Sequence, residues 1–161
     1  AVAGSVFSEE KMGPLPRAIL DEVFSFADVV LVEADGSKRM PLKMPRQGEP
    51  VLPETCDFLV TVAGLSALEQ PWEQVCHRFA LVSSMFSGKT VAEGDIFPLL
   101  QVGYGTLWDE IQGCVFLNQA EVVGWDRAER IAADFSVPCL WGSLRQKQYH
   151  RKEGDSHERS I

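Results

Sequence analysis

Long apolar runs are missing from this chain of 161 residues. Nothing approaches the roughly 18 consecutive apolar residues of a membrane-spanning helix, so no membrane partner is expected. Positive charge is also in deficit, with 15 lysines and arginines against 23 aspartates and glutamates. The formal charge of −8 argues against a nucleic-acid partner, whose phosphates need a broad basic face, but leaves room for a local cationic pocket. Cysteine is sparse: Cys56, Cys76, Cys114 and Cys139 form no Cys-x-x-Cys pair and no cluster with histidine at zinc spacing. They are read as reduced structural thiols of a cytoplasmic protein. Of three histidines two stand in the C-terminal tail, so no Ser/His/Asp or Cys/His set can be assembled. His77, beside Arg78, is read as a cation at a helix end. A phosphate loop is lacking too. FSGKT at 86–90 ends correctly, but Ser83 stands where Gly-x-x-x-x-Gly-Lys-Thr needs its first glycine, and a helix-capping turn is the better reading. The opening AVAGSVFSEEKMG has no basic start and no apolar stretch, so it is not read as a secretory signal.

What is present suits one α/β domain over residues 1–145, followed by a polar tail, 146–161, expected to be disordered. Leu15, Ile19, Val23 and Phe26 recur at helical spacing, and Pro14 and Pro16 fix where that helix starts. Val29–Val32 is an uninterrupted apolar run, the pattern of a parallel strand covered on both faces. Further strands are expected at 58–63, 114–117 and 137–141. Helices are expected over 66–78 and around Ala128–Phe135; 79–100 reads as a strand and loop or, in the favoured reading, two short helices, and GTLWDEIQG as a short helix or turn. Short strands alternating with helices predict a mostly parallel sheet with flanking helices, and ligands bind such sheets at the carboxyl ends of the strands.

The strand exits therefore carry the candidate chemistry. Glu33 and Asp35, two apart after the 29–32 run, have the spacing to face one way and share a cation, which is the logic of a magnesium site on phosphate. The ordinary alternative is one carboxylate capping the loop and the other in water. Gly36 opens a turn, and Lys38, Arg39 and Lys43 follow as phosphate partners or as surface charges that neutralise the acids. Asn118 ends a late strand, with Gly142 and Ser143 at the next exit, positions suited to a nucleotide base. The first exit reads Asn-Gln-Ala-Glu, not the Asn-Lys-x-Asp of many GTPases, which leaves base preference open.

The succession VEADGSKRMPLKMPRQGEPVLP, then FLVTVAGLSALEQP, VCHR, LNQAE and GSL, resembles the YqeC family of accessory proteins for selenium-dependent hydroxylases. The resemblance covers most of residues 28–144. It implies a P-loop NTPase-like fold, ATP or GTP with Mg2+, and a role in maturing molybdenum hydroxylases, whose apo-enzyme or cofactor-maturation proteins would be the partners. Family members begin with a strand and a Gly-Lys-Thr-Thr loop. None precedes these motifs here, so the chain is expected to correspond to the part after that loop. Glu33 and Asp35 would then hold the metal, and Gly36, Lys38, Arg39, Lys43, Asn118, Gly142 and Ser143 the nucleotide. Two other readings stand beside this one: a non-catalytic module that recognises a hydroxylase partner or a phosphorylated cofactor, and a small-molecule transferase on an α/β scaffold.

Overall fold

The computed structural model describes residues 6–8, 11–13 and 15–152. It divides into two compact units, Ala1–Glu33 and Ala34–Ile161.

The first unit holds a two-stranded antiparallel ribbon, β1 (Val6–Ser8) with β2 (Lys11–Met12), and the helix α1 (Arg17–Phe26). Pro16 sits directly before α1, where its fixed φ suits a helix start. An Arg17–Asp21 pair one turn apart (3.1 Å) supports the exposed side. Ile19 and Phe26 mark the expected apolar stripe, yet both are exposed. The Val29–Val32 run departs from expectation: it forms no strand, and Leu31 is 92% exposed. β-branched side chains favour a pleated neighbour and do not create one, so a run without a ladder partner stays unpaired.

The second unit is built on a four-stranded sheet of order β4–β6–β7–β8. Before it comes a two-residue strand, β3 (Leu42–Lys43). β4 (Leu59–Gly64) is followed by a short helix α2 (Trp72–Val75) and by β5 (Cys76–His77), which pairs in parallel with β3. Next are α3 (Ile96–Glu110), β6 (Gly113–Asn118), α4 (Ala120–Val123), α5 (Trp125–Ala133), β7 (Cys139–Ser143) and β8 (Gln148–Arg151). β4, β6 and β7 run parallel, with Gly64 opposite Asn118 and Leu117 opposite Trp141. β8 returns antiparallel, Ser143 opposite Gln148, so the sheet is mixed, and part of the expected disordered tail is a strand. Residues 153–161 of that tail lie outside the described residues.

Alternation along β4 separates two faces. Leu59, Thr61 and Ala63 are buried with Val115, Leu117, Cys139 and Trp141, and Ala128 and Ile131 of α5 belong to the same core. Trp108 of α3 donates its ring N–H to Thr61 Oγ1 (3.0 Å), so the one polar side chain on the buried face of β4 is satisfied. On the other face Val60 and Val62 are exposed. A buried strand was expected here, and only one face is covered.

The middle of the chain also differs from expectation. Residues 79–85 make two single 3-10 turns, not helices, and Thr90 bridges Pro71 instead of capping. The pieces expected near 96–100 and 105–113 fuse into α3. Pro98 is harmless in its first turn, and Gly103 lets the helix approach Pro45, whose Cδ would lie 2.9 Å from an added Cβ.

Candidate anion-binding site

The loop after Ala34 is tied down by its own backbone. The Val51 N–H donates to Ala34 O (3.2 Å), Met40 N–H to Ser37 O (3.1 Å), and Gly64 N–H to Pro41 O (2.8 Å). The last bond fixes the loop at the carboxyl end of β4. Gly64 is required there, because a Cβ would stand 2.5 Å from Gln119 Oε1 and 2.7 Å from Pro41 Cβ. Between these ties Lys38 (φ 55°) and Arg39 (φ 64°) both take the left-handed conformation, at a cost on the order of 1 kcal/mol each. Two long cationic residues held so are a constraint that the turn has to offset.

Below the turn lies a charge network. The Lys43 side chain is 6% exposed, and its ammonium contacts Asp35 Oδ1, Glu49 Oε2 (2.8 Å) and Gly36 O (3.0 Å). An ammonium has three protons, and here each has an oxygen. Asp35 Oδ2 accepts from the Tyr104 hydroxyl of α3 (3.2 Å). Glu49 is gripped by Arg78, whose Nη1 reaches Oε2 and Nη2 reaches Oε1 (3.0 Å), while Arg46 Nε also reaches Oε1 (3.0 Å). These bonds from Arg78, and then from Lys43, hold the Glu49 carboxyl down at about 2. Burial first, and then the charge of Glu49, pushes the Tyr104 phenol up to about 12, so it stays a donor.

The β3–β5 pairing sets Lys43 opposite His77, and the Met44 N–H donates to His77 O (2.9 Å). Burial and the nearby Arg78, Lys38 and Lys43 lower the His77 pKa. Lys38, Lys43 and Arg78 therefore surround His77, and these cations outnumber Asp35 and Glu49. That is an environment for an anion.

The other expected residues divide. Glu33 is exposed and ends the first unit, whereas Asp35 belongs to the second. Asn118 Oδ1 accepts from the Leu144 N–H (3.1 Å), and Ser143, fully buried, accepts from the Gln146 N–H (3.0 Å). Gly142 allows β8 to approach, since a Cβ would meet Gln148 O at 2.4 Å. These three residues hold the exits of β6 and β7 together. Gln119, left-handed at φ 68°, accepts from the Ser66 hydroxyl (2.7 Å). Residues 86–90 lead into a bridge and not a helix, so they do not form a phosphate loop.

Sequence reasoning passed over Glu49, Arg78 and Tyr104. Glu49 lies inside GEPVLP and Arg78 inside VCHR, so both stood in quoted motifs without an assigned role. Tyr104 carries no local signal, because only the packing of α3 brings it to Asp35. Among the described residues no group of three or more His, Cys, Asp or Glu side chains is arranged to hold a metal ion, and no helix is long and apolar enough to cross a membrane.

Comparison with known proteins bears on the same segment. The family described as YqeC protein matches residues 1–80. The chain is 32% identical over 91 residues to the "Uncharacterized protein YqeC" of Escherichia coli (strain K12), a match that takes in 54% of this chain and 36% of the relative. The chain thus spans only about a third of that relative's length. No solved structure matches. The part of the chain that is similar to the YqeC family, residues 1–80, supplies Asp35, Lys43, Glu49 and Arg78.

Proposed function

We propose that the chain binds a phosphorylated ligand, a nucleoside triphosphate in the first instance, as an accessory protein in maturing selenium-dependent molybdenum hydroxylases. One observation carries the reading: the cations Lys38, Lys43 and Arg78 gather around His77 near the carboxyl end of β4, in a protein whose overall charge is −8. Crevices at that end of an α/β sheet are where such folds bind ligands. The hydroxylase context rests on the motif resemblance. ATP or GTP is the ligand that the resemblance implies, and Asn118, Gly142 and Ser143 are the residues it would assign to the base.

A second reading, a non-catalytic module for a phosphorylated cofactor or a hydroxylase partner, is favoured by the Asp35–Lys43 pair. A carboxylate committed to an internal cation is poorly placed to activate phosphoryl transfer. Titration calorimetry with ATP, GTP and pyrophosphate, each with and without magnesium, tests both. Binding is expected to weaken about tenfold in Lys38→Ala, the loss of one charge-assisted hydrogen bond, with the folded state unchanged. Absence of binding to all three ligands rejects the anion site. Binding without turnover selects the module over the NTPase.

A further inference from the structure

Magnesium is the cofactor that the acid-rich exit implies, and the donor set has to be tested against it. A divalent ion at such an exit takes one or two carboxylate oxygens, with water and phosphate completing six positions. In this chain neither carboxylate of the second unit's cluster has an idle oxygen. Asp35 offers one to Lys43 and the other to Tyr104, and Glu49 divides its two among Lys43, Arg46 and Arg78. The oxygens from Asp35, Glu49 and the Gly36 carbonyl that would form a hard-cation cage converge on the Lys43 ammonium instead. The residues do not fit magnesium while Lys43 stays in place.

We propose that Lys43 is a built-in cation occupying the place of a divalent metal between Asp35, Glu49 and Gly36 O, so that the adjoining anion site takes its phosphorylated ligand without magnesium. Three features point the same way. The ammonium is buried, and a buried lysine stays charged only where its partners compensate for the water it lost. Its three protons are all committed, so it neutralises the acids and has no donor left for the ligand. A metal ion entering the cage would meet that ammonium at contact distance, a like-charge repulsion that burial strengthens. The ligand's own charge then falls to Lys38 and Arg78, with His77 beside them as a ring N–H donor. The chemical class that suits them is a metal-free phosphate or pyrophosphate group. This last step rests on the anion-binding reading, whereas the cage does not.

Two measurements separate the claims. The first is pyrophosphate titration of the wild-type chain in EDTA and in millimolar MgCl2. Affinity in magnesium is expected to equal that in EDTA or to fall below it, because magnesium complexes free pyrophosphate. A gain of tenfold or more with magnesium that disappears in Asp35→Asn overturns the proposal. No pyrophosphate binding in either buffer rejects the anion site and removes the magnesium-free ligand with it, leaving the cage to the second measurement.

That measurement is Mn2+ binding followed by electron paramagnetic resonance. Wild type is expected to show no stoichiometric site, and Lys43→Met to acquire one that Lys43→Met/Asp35→Asn lacks. A stoichiometric wild-type site lost in Asp35→Asn, or a folded Lys43→Met with no Mn2+ affinity, overturns the cage. Should Lys43→Met fail to fold, the wild-type ammonium decides by 15N NMR. A Lys43 signal protected from solvent exchange upholds the cage, and exchange as fast as that of surface lysines overturns it.

Discussion

Glu49 joins three cations, Lys43 and Arg46 from its own loop and Arg78 from 29 residues on, and shows how one carboxylate can organise a site. Its depressed pKa makes a stability statement. The carboxyl sits at about 2 in the fold against 4.5 when free, so the native state favours the ionised form. The stabilisation is complete above pH 4.5 and is lost as pH falls from there towards 2. Urea midpoints measured between pH 7 and pH 3 are expected to decline across that window. In Glu49→Gln that part of the decline should vanish, and the protein should be weaker by about 3 kcal/mol at neutral pH, because Lys43 is left buried with one partner fewer. An unchanged acid limb in Glu49→Gln would contradict the assignment. At this scale the sequence was half legible. Asp35 and Lys43 stood out because charged residues after an apolar run invite attention, although their pairing with each other did not. Glu49 and Arg78 were hidden by a separation of 29 residues that only the β3–β5 pairing closes.

Elements were legible where one property settled them. β6 and β7 follow from apolar runs bounded by polar exits, and α5 from Ala128, Ile131 and Ala132 on one side with Asp126 near its start. The 29–32 run failed as a strand because its composition meets the requirement for burial and says nothing of a ladder partner. The sequence reads α3 as separate short pieces because Pro98 makes a poor helix residue and GTLWDEIQG stands as its own segment ending at Gly113. In the structure proline falls in the first turn, and Gly103 makes room for Pro45. The same logic identifies Gly113 as a control point. A Cβ there would stand 2.2 Å from Leu59 O, against backbone that cannot yield without parting β4 from β6. Gly113→Ala is expected to cost about 2 kcal/mol or more in chemical denaturation. Its Lys38-dependent anion affinity should fall too, since β4 carries the Gly64 tie. A neutral substitution would mean that the sheet can spread at that end.

Across the second unit, fold class was legible from the alternation of strands and helices, but the coverage of the sheet was not. Two-sided burial was read from continuous apolar runs, whereas the sheet keeps its core on one side and leaves Val60 and Val62 bare on the other. Hydrophobicity along a strand records how much it could bury and not how much is buried beside it. The bonds at either end of β4 settle which way its amides point. Leu59 donates towards β6 and Gly64 away from it, to Pro41. By the two-residue period Val60 and Val62 share the Gly64 side, where no strand pairs among the described residues. Two unclaimed amide–carbonyl sets flanked by bare valines amount to a template on which a second extended chain can crystallise its own ladder. Light scattering is expected to rise steeply with protein concentration, and Val62→Lys to delay that onset while leaving the melting temperature within a degree or two. Self-association by this route would trace to unanswered peptide groups along one strand, and a single charge should silence it.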